Sequence, residues 1–111
     1  MADRAVLAAV ENYLAEVRRA GIRASKAIVF GSHARNEATP ESDIDVVVVA
    51  PEFDGNPEWA MTAILWRLRA RTDRRIEPLA VGEHQWEDGD DNPIIAAARR
   101  DGVTIMASSL N

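Results

Sequence analysis

From Asp3 to Ala20 the apolar residues Val6, Leu7, Val10, Tyr13, Leu14 and Val17 recur at helical spacing, with Glu11, Glu16, Arg18 and Arg19 on the other face. Gly21 follows where a glycine closes a helix. Ala27 to Phe30 is a short apolar run ending at Gly31, the pattern of a buried strand, and Ser32 to Glu37 predicts the first turns of a short helix broken before Pro40. Ile44 to Ala50, with four consecutive valines stopped by Pro51, is the strongest strand signal in the chain. Pro51 to Pro57 reads as a loop and Glu58 to Arg71 as a helix with Met61, Ile64, Leu65 and Leu68 on one face. Ile76 to Val81 is a weaker strand, which Pro78 places at a sheet edge. Gly82 to Asp91 reads as an acidic loop or short turn, Ile94 to Arg100 as a last short helix, and Val103 to Met106 as a final strand. Strands thus alternate with helices. The expected fold class is α/β: a small mixed β-sheet with helices packed against it, in one domain over residues 1–111.

Composition narrows the chemistry. The 111 residues are 47% hydrophobic and contain no cysteine, which excludes disulfides and thiolate metal sites. Any metal must be held by oxygen or by the two histidines. The net charge of −5 disfavours nucleic acid as a main partner, because neutralising phosphates supplies most of that affinity. The first residues carry charges from the outset, unlike a signal or transit peptide, and no apolar run approaches the roughly 20 residues that span a bilayer. A cytoplasmic protein with no membrane contact is expected.

Phe30-Gly31-Ser32 ends a strand and then starts a helix. Glycine lets backbone approach a ligand, the helix start presents unpaired N–H groups, and serine adds a hydroxyl, so a phosphate suits the place; a plain turn with a serine N-cap is the bland alternative. Asp43 and Asp45 lie two apart at the head of a buried strand and should project to one face. Two carboxylates there repel one another, and a divalent cation would turn that repulsion into binding. The alternative is that Asp43 caps a turn while Asp45 pairs with an arginine such as Arg35. The combination with a phosphate-type turn just upstream is more specific than either half, since an ion bridges carboxylates to phosphate oxygens.

Gly31-Ser32-His33-Ala34-Arg35-Asn36-Glu37 followed by Ser42-Asp43-Ile44-Asp45-Val46 resembles the signature of the minimal nucleotidyltransferases of the polymerase-beta superfamily. There, Gly-Ser-x-Ala-Arg-Gly precedes Ser-Asp-x-Asp at the head of a hydrophobic strand. The resemblance implies transfer of a nucleoside monophosphate from a triphosphate, AMP from ATP, to an acceptor with Mg²⁺. It assigns Gly31 and Ser32 to the triphosphate, and Asp43 and Asp45 to metal and catalysis. Two departures stand out. Asn36 replaces the family's glycine, and asparagine tolerates a left-handed backbone better than other side chains. Glu77 occupies the position of the third carboxylate, usually an aspartate. It would complete a site for two ions or act as base on the acceptor; a solvated strand-end glutamate is the alternative.

Larger relatives carry a further domain for the acceptor, so in a chain of this length the acceptor is expected to be another molecule. Proteins of this size resemble the MNT antitoxins, paired with helical HEPN ribonuclease toxins and thought to adenylylate them. A HEPN-type partner is therefore expected. A degenerate module acting by contact alone, or a small-molecule transferase with its acceptor site at a homo-oligomer interface, are the rivals.

Other features read more plainly. His33 is expected to pack or face solvent, and His84 fits no metal spacing. The run of Arg67, Arg69, Arg71, Arg74 and Arg75 reads as a solvated helix end or a surface for an acidic partner. Glu87 to Asp91 reads as a solvated loop. Trp59 and Trp66 share one helix face, as core residues or as part of an interface.

Overall fold

The computed structural model describes residues 3–35, 37–39, 41–55 and 59–110; Asn36, and with it the expected turn at that position, lies outside them. Helix α1 spans Arg4–Arg19, strand β1 Lys26–Phe30, β2 Ile44–Val49, α2 Trp59–Arg69, β3 Ile76–Val81, α3 Glu83–Asp88, α4 Pro93–Asp101 and β4 Val103–Met106. The strands form one sheet in the order β3-β2-β1-β4. β1 runs antiparallel to β2 and to β4, and β2 runs parallel to β3. The expected α/β class with a mixed sheet is what forms, and β3, carrying Pro78, is the edge strand as Pro demands.

The run of valines is explained by cover on both sides. Val46 and Val48 pack with Ala27, Val29 and the apolar stripes of α1 and α2. Val47 and Val49 pack with Ile28, Val81, Trp86 and Ile95 under α3 and α4. A strand buried on two faces has no polar side to alternate with, and each such valine stabilises the fold by about 1.5 kcal/mol or more. The alternation fails only at Asp45, which points to the α3–α4 side yet is half-exposed. Within the α1–α2 layer, the Tyr13 hydroxyl donates to the Leu65 carbonyl at 2.6 Å, and burial holds that phenol protonated far above its ordinary range.

Two expectations need correction. Where a helix start is expected, the described residues Ser32 to Arg35 form a turn, in which Arg35 N–H reaches the Gly31 carbonyl, and Glu37 N–H reaches the Ser32 carbonyl. One turn fixes several dihedrals for too few bonds to propagate. Gly82 to Asp91 is not a loop: Glu83–Asp88 is helical. Gln85 Oε1 accepts locally from Gly82 N–H at 2.8 Å, but the N–H of His84 is satisfied from a distance by Asp54 Oδ1 at 3.0 Å. A cap supplied from 30 positions away leaves no local pattern. Of the two readings left open for Trp59 and Trp66, the core one does not hold: both are exposed, and Leu65 and Leu68 make the buried side of α2.

The turn between α2 and β3 is held by Asp73, whose carboxylate accepts from Arg75 N–H at 2.9 Å and pairs with its guanidinium at 2.7 Å. The Arg75 hydrogen bond holds the Asp73 carboxyl below its ordinary 3.8. A carboxyl with a depressed folded value stabilises the fold above its unfolded value and loses that contribution as pH falls through the folded one. Asp73→Asn is therefore expected to lower stability by about 1 kcal/mol at neutral pH. In acid unfolding curves its deficit against the parent chain should shrink as pH falls below 3.8 and vanish once pH is below the lowered folded value.

No helix among the described residues is long and apolar enough to cross a membrane.

Candidate active site

The site is assembled at the end where β1 stops and β2 and β3 begin. Antiparallel pairing sets Phe30 opposite Asp45, and parallel pairing sets Asp45 opposite Glu77. Residues opposite one another share a face, so Phe30, Asp45 and Glu77 form one row across three strands. The α3–α4 layer covers Val47, Val49 and Val81 further along these strands. It leaves Asp45 and Glu77 half-exposed, on an open shelf. Asp43, just ahead of β2 and exposed, joins them.

Electrostatics show how closely the three carboxylates lie. Glu77 is raised above its ordinary range by burial first, then by the charge of Asp43, a hydrogen bond shared with Asp43, and the charge of Asp45; Arg69 offsets part of this. Asp45 is raised by burial first and then by Asp43, against smaller opposing effects of His33 and Arg35. Among the described residues Asp43 caps no turn, and Arg35 pairs with Glu37 at 3.4 Å rather than with Asp45.

Gly31 faces this row. Its φ of 71° lies in the left-handed region, and a Cβ there would run into the Asp45 carboxylate. Backbone and carboxylate are in contact because glycine has no side chain. Ser32 follows, half-buried, in the turn that leads away from the sheet. That turn is anchored by His33, which packs inside with only 7% of its surface exposed. Its Nε2 hydrogen-bonds the Ser42 carbonyl at 3.1 Å. Ser42 Oγ in turn accepts from Thr39 N–H at 2.9 Å. His33 therefore ties the start of the loop to the residue preceding Asp43.

One further residue and one cavity lie near the site. Arg69, which was grouped with the basic run, turns inward and donates to the Ile76 carbonyl at 3.1 Å, with its guanidinium over the Trp66 ring at 4.8 Å. A helix-end arginine carries no sequence signal of that role. A cavity of about 250 Å³ lined by Asp3, Val6, His33, Thr39 and Arg75 adjoins the same loop, but none of the three carboxylates lines it.

The donor set is oxygen only, which suits a hard divalent ion such as Mg²⁺. As the side chains lie, no three acidic or histidine groups among the described residues are gathered into a set that could hold a metal ion. The carboxylates are neighbours on the shelf, and gathering round an ion requires them to turn toward one another. Mutual repulsion opposes that closure until a cation is present.

A strand-end glycine thus lies against an acidic row at the open end of a mixed sheet in an α/β protein. Residues 10–92 match the nucleotidyltransferase domain family, and the chain belongs to it. Its activity class is nucleotidyl transfer, which in this family typically draws on a nucleoside triphosphate and a divalent metal. The fold is also that of the crystal structure of a candidate nucleotidyltransferase from Sulfolobus solfataricus, with a TM-score of 0.68 at 17% identity over 94% of this chain and 83% of that one. No protein of curated function matches the chain.

Proposed function

We propose that this protein transfers AMP from ATP to a hydroxyl of a partner protein, and that it acts as the antitoxin of a HEPN-type ribonuclease in the cytoplasm. The observation that carries the reading is the row of Asp45 and Glu77, with Asp43 beside it and the Gly31 backbone against it. Gly31 and Ser32 offer backbone N–H groups and a hydroxyl to the triphosphate. Asp43, Asp45 and Glu77 would hold Mg²⁺, two ions in the full site. When bound, such ions offset phosphate charge and act as Lewis acids on the α-phosphate.

Transfer requires the acceptor oxygen to bond to the α-phosphorus as the bond to the β-phosphate oxygen breaks, releasing pyrophosphate. The acceptor's proton must leave with it. Glu77, half-exposed and with its carboxyl raised by burial and by Asp43, would take that proton. The left-handed turn at Gly31 keeps the phosphate-binding backbone against Asp45, so nucleotide and carboxylates share one rigid frame.

Incubation with Mg²⁺, the helical protein encoded beside this chain, and ATP labelled at the α-phosphate should leave label on that protein. ATP labelled at the γ-phosphate should leave none. A stable complex without label would replace the enzyme by a module that neutralises its partner through contact. An adjacent gene that encodes no helical ribonuclease would instead favour a small-molecule acceptor.

A further inference from the structure

Helix α2 carries an apolar stripe that the fold leaves uncovered. Leu65 and Leu68 face the core, while Trp59 is 85% and Trp66 43% exposed. Seven residues apart, the two indoles lie on one line of the helix, with Ala63 between them and the exposed Ala70 just beyond its last turn. The stripe is about 16 Å long by helical rise. Large rings separated by alanines make knobs and hollows, a relief into which a second helix interdigitates.

Charge selects the kind of helix. Between Arg67 and Arg75 the chain has five arginines and one acid, Asp73, which Arg75 neutralises. Arg69 turns inward, leaving Arg67, Arg71 and Arg74 exposed beside the stripe and in the turn after it. The patch is thus basic on a chain of net charge −5. A nucleic-acid strand wants a basic track for successive phosphates, whereas here the arginines border two indoles on a short helix. A second copy of the chain would bring the same indoles and the same positive charge.

We infer that this face of α2 is the docking surface for an amphipathic helix of another protein, one whose apolar stripe is bordered by carboxylates. The turn after α2 leads directly into β3, whose second residue is Glu77, so the C-terminal end of α2 lies at the same end of the sheet as the carboxylate row, on the opposite layer. The identification of that partner as the acceptor rests on the transfer reading; the docking does not.

The probe is a helical peptide with leucines along one face and glutamates on its flanks, titrated into the full chain with tryptophan emission as the signal. Its counterpart with lysine for glutamate and an oligouridylate serve as controls, and sedimentation reports self-association. The acidic peptide should bind, shift the emission to the blue and weaken with salt, and neither control should bind. Trp59→Ala, with Trp66 kept as the reporter and as the ring under Arg69, and separately Arg67→Glu with Arg74→Glu, should each weaken binding about tenfold or more. All three residues are exposed, circular dichroism should match the parent in both variants, and MgATP affinity should match it in Trp59→Ala. Failure of the acidic peptide to bind, equal binding of its lysine counterpart, preference for the oligouridylate, self-association through this face, or indifference to the variants would each overturn the inference. Asp43→Asn with Asp45→Asn should leave peptide binding intact. Loss of MgATP binding in the parent chain would sink the transfer reading alone, and loss of peptide binding alone would sink only the docking surface.

Discussion

Replacing Asp43 and Asp45 together by asparagine is expected to abolish Mg²⁺-dependent ATP binding while leaving the fold intact and slightly more stable. Asp45 is raised by burial and by Asp43, and Glu77 by burial and by both aspartates. A carboxyl held above its ordinary value costs stability when ionised, and that cost is present above its folded value and relieved as pH falls. Amide side chains remove it at neutral pH. Asp43 and Asp45 touch water, so the gain is discounted to about 0.5–1 kcal/mol. The same change removes the charge that attracts a cation, and ATP affinity in Mg²⁺ should fall by about 100-fold or more. Thermal unfolding and calorimetric titration of the double variant check both halves. Unfolding of the variant would make the pair structural and remove the argument for a metal site.

Gly31→Ala is expected to do the opposite, losing both stability and nucleotide. The backbone at a φ of 71° costs a side chain about 1–2 kcal/mol. The new Cβ also meets the Asp45 carboxylate, which is part of a strand and gives way only by moving. Together these should cost about 3 kcal/mol, and the displaced carboxylate should weaken MgATP as well. Gly21→Ala separates the two causes. Gly21 has a φ of 98° with nothing within 4 Å of an added Cβ. It should therefore show the backbone cost alone, with ATP affinity unchanged. Equal losses of ATP affinity at the two glycines would mean that the contact with Asp45 has no functional weight.

The parts of this protein that were legible in its sequence are those with local causes. The stripe of α1, the valines of β2 and the edge position of Pro78 each follow from periodicity or from a missing donor. The spacing of Asp43 and Asp45 likewise predicts that the two carboxylates lie together, and Asp43 does act on Asp45. Glu77 needed more: only the parallel register of β2 with β3 sets it opposite Asp45. What stayed hidden depends on groups far apart in the chain. Helix α3 draws its cap from Asp54, so its own residues look like an acidic loop. Arg69 differs from its neighbouring arginines only because the Ile76 carbonyl and the Trp66 ring lie within its reach. The exposure of Trp59 and Trp66 was undecidable from spacing, since a core stripe and an interface stripe have the same period.

The most direct test of the metal-nucleotide site is a calorimetric titration of ATP into the unmodified protein, once with Mg²⁺ and once with a chelator in its place. ATP should bind with Mg²⁺ and at least about tenfold more weakly without it, since the carboxylates then repel the triphosphate. Equal affinity in the two titrations, or no binding in either, would contradict the assignment of Asp43, Asp45 and Glu77 to a metal-nucleotide site.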